Sequence, residues 1–269
     1  MSQRLGPAWA AAVWLLMMPA TGSAAHLRQH DSTEKVAALA DSLYFAADPM
    51  ASLTVCERSI SGGADGLGVR WRATRAAIAL GMLTTDMVAR TTNYDVALTH
   101  ARRAVQMSPK DNDGRYWLAA AAGRRARADD LRLGIRLANE VHAQVSAILA
   151  ADSMHAGAHH ALGMLHLQAL KIPRWVRLIV THVMGLDVAR HATWADAEEH
   201  LARAVALEPE MVVYLSDLAD LYGRSGRVIE RDRALARLAA MPPRHPMDSS
   251  YRDACLRRWP FAAITSVRR

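Results

Sequence analysis

"DVALTHARRAVQMSP" (residues 95–109) and "ADAEEHLARAVALEP" (residues 195–209) are two copies of one pattern, and this pattern decides the fold. Six aligned positions are identical: Ala97 and Ala197, His100 and His200, Arg103 and Arg203, Ala104 and Ala204, Val105 and Val205, Pro109 and Pro209. Each copy reads as a short helix with small residues on one side, where a second helix can approach closely. A proline ends the helix because it lacks the backbone N–H. The sequence therefore contains a repeated helical unit.

This frame resembles the second helix of the tetratricopeptide repeat, a helix-turn-helix unit of 34 residues. The first helix of such a unit carries a Leu-Gly or Leu-Ala pair, with an aromatic or similar residue three positions later. Two stretches fit this description: "HHALGMLH", with Leu162, Gly163 and His166, and "YLSDLADLYGRSG", with Leu218, Ala219 and Tyr222.

The spacing of these markers locates an insertion. Pro209 and Pro243 lie 34 residues apart, which is the length of one unit. Gly163 and Ala219 lie 56 residues apart, so the intervening unit is 22 residues longer than the repeat. The extra chain falls near residues 170–193.

The repeat predicts an all-α fold: an α-solenoid of about five helix-turn-helix units, with an inserted helical element in a late unit. Further helices are expected at 32–47, 50–60, 69–83, 113–126, 131–151 and 248–259, the last as a cap on the array. "DSTE" (residues 31–34) is typical of a helix start. We divide the mature chain into an N-terminal helical pair and linker (26–68), a repeat domain (69–259) and a C-terminal tail (260–269).

Residues 1–25 have the features of a secretory signal peptide. Arg4 supplies the positive charge, "AWAAAVWLLMM" (residues 8–18) the apolar core, and small residues a cleavage site after Ala25. The mature chain would then begin at His26 and work in the periplasm. A retained inner-membrane anchor is the alternative, because residues 6–25 carry no charge.

The two cysteines, Cys56 and Cys255, lie near opposite ends of the mature sequence. Export would permit a disulfide, but an elongated array holds these positions too far apart to form one. We expect two free, buried thiols.

The order of motifs along the chain resembles the regulator of microtubule dynamics family. These motifs are "VRWRATRAA", "GRYWLAAAAG", "HHALGMLHLQALKIPRW", "TWADAEEHLARAVALEPE" and "LADLYGRSG". In that family an insertion with a proline and a tryptophan lies between the two helices of a late unit, and Pro173 and Trp175 match it, followed by Arg177. The resemblance covers residues 69–259.

This resemblance implies helical repeats and a scaffold role. Animal members of the family are intracellular and linked to microtubules, mitochondria or membrane contacts, and some bind lipid. A signal sequence on a chain of this composition suggests a bacterial, periplasmic relative, for which microtubules are not the expected partner.

Three classes of function lack support in the sequence. The four histidines of "HAGAHHALGMLH" (residues 155–166) lack the glutamate and third ligand of a two-histidine zinc site, so neither a metal nor another cofactor is expected. No nucleophile elbow, phosphate loop or carboxylate pair indicates an enzyme. The chain has a net charge of +7, but it contains only three lysines and no stretch in which basic and aromatic residues alternate. No nucleic-acid partner is therefore expected.

Stacked repeats leave a concave groove lined by the first helices, and this groove is a natural binding surface. When the positions of the tetratricopeptide repeat are aligned with this sequence, six side chains fall in the groove: Tyr116, His160, Met164, Gln168, Asp220 and Arg224. We expect a non-catalytic scaffold or adaptor that binds a protein partner. The alternative is a carrier or membrane-tethering protein that takes lipid or another apolar ligand through the array and its insertion.

The insertion "KIPRWVRLIVTHVMGLDVARHATW" (residues 171–194) is the most individual segment of the chain. Its surface candidates are Arg174, Trp175 and Arg177, which could meet a membrane surface or a partner helix. One apolar side of a short helix is predicted from Trp175, Val176, Leu178, Ile179 and Val183. The other interpretation is that this segment folds back and plugs the array.

Overall fold

The computed structural model describes residues 21–127, 131–173, 175–177, 179, 181 and 187–260. Twelve α-helices have bounds within these residues: α1 Thr21–Phe45, α2 Pro49–Ser61, α3 Leu67–Leu83, α4 Met87–Met107, α5 Asn112–Arg125, α6 Leu131–Ala151, α7 Ala156–Leu170, α8 Asp187–His191, α9 Trp194–Leu207, α10 Val212–Arg224, α11 Val228–Ala240 and α12 Asp248–Arg258. No strand occurs in this part of the chain.

The helices pack as five pairs: α1 with α2, α3 with α4, α5 with α6, α7 with α9, and α10 with α11. The first helix of each pair also packs on the first helix of the next pair, so α1, α3, α5, α7 and α10 lie side by side. This arrangement confirms the predicted α-solenoid. The short α8 belongs to the insertion, between the two helices of the fourth pair.

Two predicted helix starts are wrong. The first helix begins at Thr21, upstream of the "DSTE" stretch, and runs across the junction between Ala25 and His26. The second helix of the second pair begins at Met87, whereas the repeat pattern placed its start at Asp95. Its signal is Asp86, whose carboxylate accepts a hydrogen bond from the backbone N–H of Ala89 at 2.6 Å and so caps the helix.

The small residues of the repeated pattern lie in the helix interfaces. Ala97, Ala104, Ala197 and Ala204 are all fully buried. Gly163 makes the closest approach: a Cβ at this position would lie 2.8 Å from Leu201 Cγ and 3.0 Å from the Leu201 backbone nitrogen. The Leu-Gly pair in α7 is therefore where the backbones of α7 and α9 come together.

The N-terminal pair shares a core with the pairs that follow it. Ala40, Leu53 and Cys56 belong to the same buried cluster as Val69 of α3 and Leu137 of α6. A second cluster joins α7 to α9, α10, α11 and α12.

Cys56 and Cys255 are free and buried, one in each cluster, as predicted. Burial raises the pKa of each thiol to about 11. Both side chains are therefore protonated at neutral pH, and their low thiolate content makes them poor nucleophiles.

The described residues of the insertion do not present one apolar face. Val176 packs on α6 and α7, in a cluster that includes Ile135, Ala169 and Ala189. Trp175 and Ile179 point away from this cluster and are 70% and 51% exposed. The predicted stripe divides because adjacent residues of a helix face different directions. The side chains of Leu178 and Val183 lie outside the described residues.

The last helix does more than cap the end of the array. It packs on α10 and α11 as expected, and it also reaches the first three pairs across the concave side. The hydroxyl of Tyr251 accepts a hydrogen bond from the Arg124 guanidinium and donates one to Met82 Sδ at 3.3 Å. Met247 packs with Tyr44 of α1. The chain thus folds back to close the groove that its own repeats form.

We predict that Gly163→Ala lowers the free energy of unfolding by about 1–3 kcal/mol, because the new methyl group meets the backbone of α9. Gly123→Ala is the matched control, since a Cβ there would lie 3.9 Å from its nearest neighbour, Val141 Cγ2. Alanine favours a helix over glycine, so the control keeps or gains stability. Urea unfolding followed by circular dichroism measures both; equal midpoints would contradict the close-contact interpretation.

Candidate functional site

A cavity of about 1090 Å³ occupies the concave side of the solenoid. Its walls come from the first helices of all five pairs, from α6, and from α12, which crosses the groove. Most of the wall is apolar, with small and aliphatic side chains on α3, α5, α6 and α7. Concave, mostly apolar sites with a few polar groups are the usual form of ligand sites in proteins.

Four of the six predicted groove residues line this cavity: Tyr116, His160, Met164 and Gln168. Tyr116 lies against the first turn of α7, where a Cβ on Gly157 would come within 2.4 Å of its ring. Burial raises the pKa of Tyr116 to about 12, so its hydroxyl remains a hydrogen-bond donor.

The other two predicted groove residues, Asp220 and Arg224, are not part of the cavity wall. Arg224 donates to Asp220 at 2.7 Å, one turn earlier on α10. Asp220 also accepts a hydrogen bond from the indole N–H of Trp259 at 3.0 Å and pairs with Arg258 at 3.1 Å. The C-terminal segment therefore occupies this turn of α10, and the repeat frame alone does not reveal it.

A charged group lies at the centre of the wall, around Asp217 of α10. His160 Nε2 lies 2.7 Å from Asp217 Oδ2, and the His160 ring lies over Tyr214 with centroids 4.6 Å apart. Burial alone would raise the pKa of Asp217. The His160 hydrogen bond and the positive charges of Arg124 and Arg127 outweigh this effect and lower the pKa, so Asp217 is ionised.

The two arginines differ in their surroundings. Arg124 is held by Tyr251; desolvation would lower its pKa, but Tyr251 and Asp217 raise it. Arg127 also lines the cavity, and its side chain is more exposed than that of Arg124. The cavity thus combines an apolar wall with cationic groups that can pair with an anionic ligand.

The N-terminal end of the cavity holds a third arginine. Arg75 is 8% exposed, lies over the ring of Tyr44 at 4.0 Å and donates to Asp41 at 2.6 Å. Its Nε is buried and has no hydrogen-bond partner among the described residues. Trp71 and Trp117 stack beside it, with ring centroids 5.9 Å apart.

Three histidines, His159, His166 and His200, form a separate cluster between α7 and α9. His159 Nε2 lies 3.0 Å from the carbonyl oxygen of Ser153, which can only accept, so the proton is on Nε2. In the neutral imidazole, His159 Nδ1 then accepts from His200 Nδ1, also at 3.0 Å. The ring of His166 stacks on His200, with centroids 6.0 Å apart. The pKa values of His166 and His200 are lowered, chiefly by burial.

Within the described residues, no three His, Cys, Asp or Glu side chains are arranged to hold a metal ion. Among the described helices, none combines the length and apolar character that crossing a bilayer requires.

The insertion residues lie apart from the cavity centre. Trp175 is exposed, and Arg177 is half-buried with one guanidinium nitrogen that finds no partner in the described part of the chain. Arg174 lies outside the described residues.

The sequence did not single out Arg75, Arg124, Arg127, Asp217 and Tyr251 as site residues. Asp217 lies on the same face of α10 as Val213 and Tyr214, so the helical periodicity of this segment is the signal that predicts it. Tyr251 carries no local signal, because its partners Met82 and Arg124 lie far away along the chain.

The family model for regulator of microtubule dynamics protein 1-3 matches residues 38–258. The chain belongs to this family. The family match begins within α1, upstream of the motifs at 69–259, in agreement with the core that the N-terminal pair shares with later pairs. A search of curated proteins finds no match.

Solved structures of repeat proteins are similar to this chain. TTC0263, a thermophilic TPR protein of Thermus thermophilus, aligns with 20% identity and a TM-score of 0.59, covering 83% of this chain and 97% of that one. A MamA RS-1 ArsTM double mutant aligns with 15% identity and a TM-score of 0.45, covering 78% and 94%. Human IFIT1 aligns with 17% identity and a TM-score of 0.42, covering 73% and 47%. The first alignment confirms the tetratricopeptide-type fold of the family member described here.

We predict that the stability of the fold decreases as the pH falls below about 6.5, where histidines of the unfolded chain take up protons. The folded state resists protonation because the pKa values of His166 and His200 are lowered, so protons bind preferentially to the unfolded chain. Urea midpoints at about pH 7.5 and about pH 5 measure the difference.

His200→Gln, which removes one of these titrating groups, is expected to show a smaller pH dependence than the wild type. His191→Gln is the control, because His191 is exposed at the end of α8. An unchanged pH dependence in His200→Gln would show that the histidine cluster does not control it.

Proposed function

We propose that this family member is a non-catalytic scaffold that binds a segment of a protein partner in its concave cavity and works in the periplasm. A solenoid of tetratricopeptide type generally serves as a protein-interaction scaffold. The observation that carries the proposal is the convergence of Tyr116, His160, Met164 and Gln168 on one cavity.

The lining favours an extended, amphipathic segment with acidic groups. Apolar side chains would contact the wall formed by Met164 and its neighbours on α6 and α7. Carboxylates of the partner would pair with Arg127, the cation of this site that has the most exposed side chain. Because α12 crosses the groove, the partner enters beside Tyr251 or displaces it.

A photo-crosslinking amino acid at Gln168, inside the cavity, tests this proposal in the native host. The matched control carries the same group at Arg102, an exposed residue on α4. We expect a defined protein adduct from position 168, absent from position 102 and weakened by Met164→Ala or Arg127→Ala. Adducts from position 102 alone, or adducts unaffected by both substitutions, would exclude the cavity as the partner site.

The periplasmic location rests on the pattern of residues 1–25 and has its own test. N-terminal sequencing of the protein purified from its native host is expected to begin at His26. A chain that begins at Met1 or Ser2 and stays with the inner membrane would replace the periplasmic proposal with the anchored alternative.

A second function, carriage of an apolar ligand with an acidic head, is favoured by one observation. Arg75 lines the same cavity, is buried, and has an Nε atom without a hydrogen-bond partner among the described residues. A carboxylate or phosphate would satisfy this donor while its hydrocarbon chain filled the apolar wall.

Mass spectrometry of the native protein under non-denaturing conditions distinguishes the two functions. A lipid that co-purifies with the wild type and is lost from Arg75→Gln supports the carrier. A protein that co-purifies, with no lipid mass on the chain, supports the scaffold.

A further inference from the structure

The segment that crosses the concave side, which we call the strap, comprises residues 244–256: most of α12 and the turn before it. Much of its hydrogen bonding is internal. The backbone N–H groups of Arg244 and His245 both donate to the carboxylate of Asp248 at 2.8 Å. Two consecutive prolines precede the strap and a third lies within it, and proline has no N–H to donate to the array. The strap can therefore move as one body without losing these hydrogen bonds.

The contacts that hold the strap over the cavity are weak. Ser216 Oγ lies 3.5 Å from the carbonyl oxygen of Tyr251, which is long for a hydrogen bond. The thiol of Cys255 is a weak donor to the Ser216 carbonyl oxygen, and Met82 Sδ is a weak acceptor for the Tyr251 hydroxyl. Met247 is the only large apolar side chain of the strap that is buried. Lifting the strap therefore breaks little strong bonding.

The contact between the strap and α5 pairs a cation with a neutral group. The guanidinium of Arg124 donates to the hydroxyl of Tyr251, while Asp217 acts on Arg124 through its charge. A guanidinium binds a carboxylate through two parallel hydrogen bonds, with an energy and a geometric fit that one hydroxyl does not offer. A carboxylate brought into the cavity would therefore replace Tyr251 on Arg124.

The chain just after the strap is held more firmly. Trp259 packs on α10 at Gly223, where a Cβ would lie 2.5 Å from the indole ring. Its indole N–H donates to Asp220 at 3.0 Å, and Arg258 pairs with the same carboxylate at 3.1 Å. A strap that has left the groove is therefore still tethered at both ends, by α11 and by Trp259, and can return.

We propose that the strap is an autoinhibitory element, which occupies Arg124 and covers the cavity until an acidic segment of the protein partner binds Arg124 and displaces Tyr251. The inference rests on the proposed scaffold function and adds its regulation. Opening about the anchor at Trp259 gives the partner access to Arg124 and to the apolar wall beside Met82. Displacement selects its partner, because the incoming segment must supply both a carboxylate for Arg124 and an apolar group in place of Met247.

The two native cysteines report whether the strap opens while the array stays folded. Cys255 lies in the strap and Cys56 in the core of the first pairs. Both are buried, and burial raises the pKa of each thiol to about 11, so their intrinsic reactivities are similar. The folded protein is labelled with excess maleimide, and peptide mass spectrometry gives the rate at each position. We expect Cys255 to react more than about tenfold faster than Cys56, which local opening of the strap does not expose.

A crosslink that holds the strap closed is the control for this measurement. Phe45→Cys and His245→Cys are joined by a short bifunctional thiol reagent before labelling, since the two native rings lie 5.6 Å apart. A matched sample carries the same substitutions capped with a monofunctional reagent. The crosslink is expected to slow the labelling of Cys255 to the rate of Cys56, while the capped sample keeps the faster rate.

Tyr251→Phe links the strap to partner binding, because it removes the hydroxyl that accepts the hydrogen bond from α5. We expect this variant to label faster at Cys255 and to raise the yield of the partner adduct at Gln168 at least about threefold. Tyr222→Phe is the matched control, since its hydroxyl bonds to α9 at 3.2 Å, outside the cavity. It is expected to leave both readouts unchanged.

Equal labelling rates at Cys255 and Cys56, or a rate at Cys255 that the crosslink does not change, would overturn the proposal. An adduct at Gln168 that is the same in wild type and in Tyr251→Phe would show that the partner enters beside the strap; the inference then fails while the scaffold function stands. If no variant gives an adduct but the crosslink slows the labelling of Cys255, the scaffold function fails and the opening of the strap stands.

Discussion

Close contact between helix backbones at alanine and glycine positions is the constraint on which the rest of the structure depends. Ala97, Ala104, Ala197 and Ala204 are fully buried, and Gly163 leaves no room for a methyl group against α9. Larger side chains at these positions would separate the two helices of a pair. The small residues therefore set the spacing within each pair, and the stack is built from these pairs.

The cavity exists in its present form because α12 returns across the groove. An open array of five pairs would present a wide concave surface, whereas this chain brings Tyr251 to Arg124 and Met82 and Met247 to Tyr44. The closure surrounds Asp217 and Arg124 with protein and strengthens the electrostatic interaction between them. It also means that a partner or ligand must fit around the C-terminal segment.

Local pattern was sufficient for the fold and for four residues of the cavity wall. The Leu162–Gly163 pair and the distance to Ala219 revealed the register of the repeats and an insertion of 22 residues, and the groove frame found Tyr116, His160, Met164 and Gln168. The repeat pattern also predicted Asp220 and Arg224 in the groove, but the C-terminal segment covers that turn of α10. Such contacts join residues distant in sequence, and no local periodicity encodes them.

The central claim is that the C-terminal segment closes the concave side by reaching the first helical pair. Intramolecular crosslinking of Phe45→Cys with His245→Cys tests it directly, because these two rings lie 5.6 Å apart while the native cysteines are buried. A short bifunctional thiol reagent is predicted to join the two positions in the folded monomer. Failure to join them, when a monofunctional reagent labels both, would contradict the closed cavity.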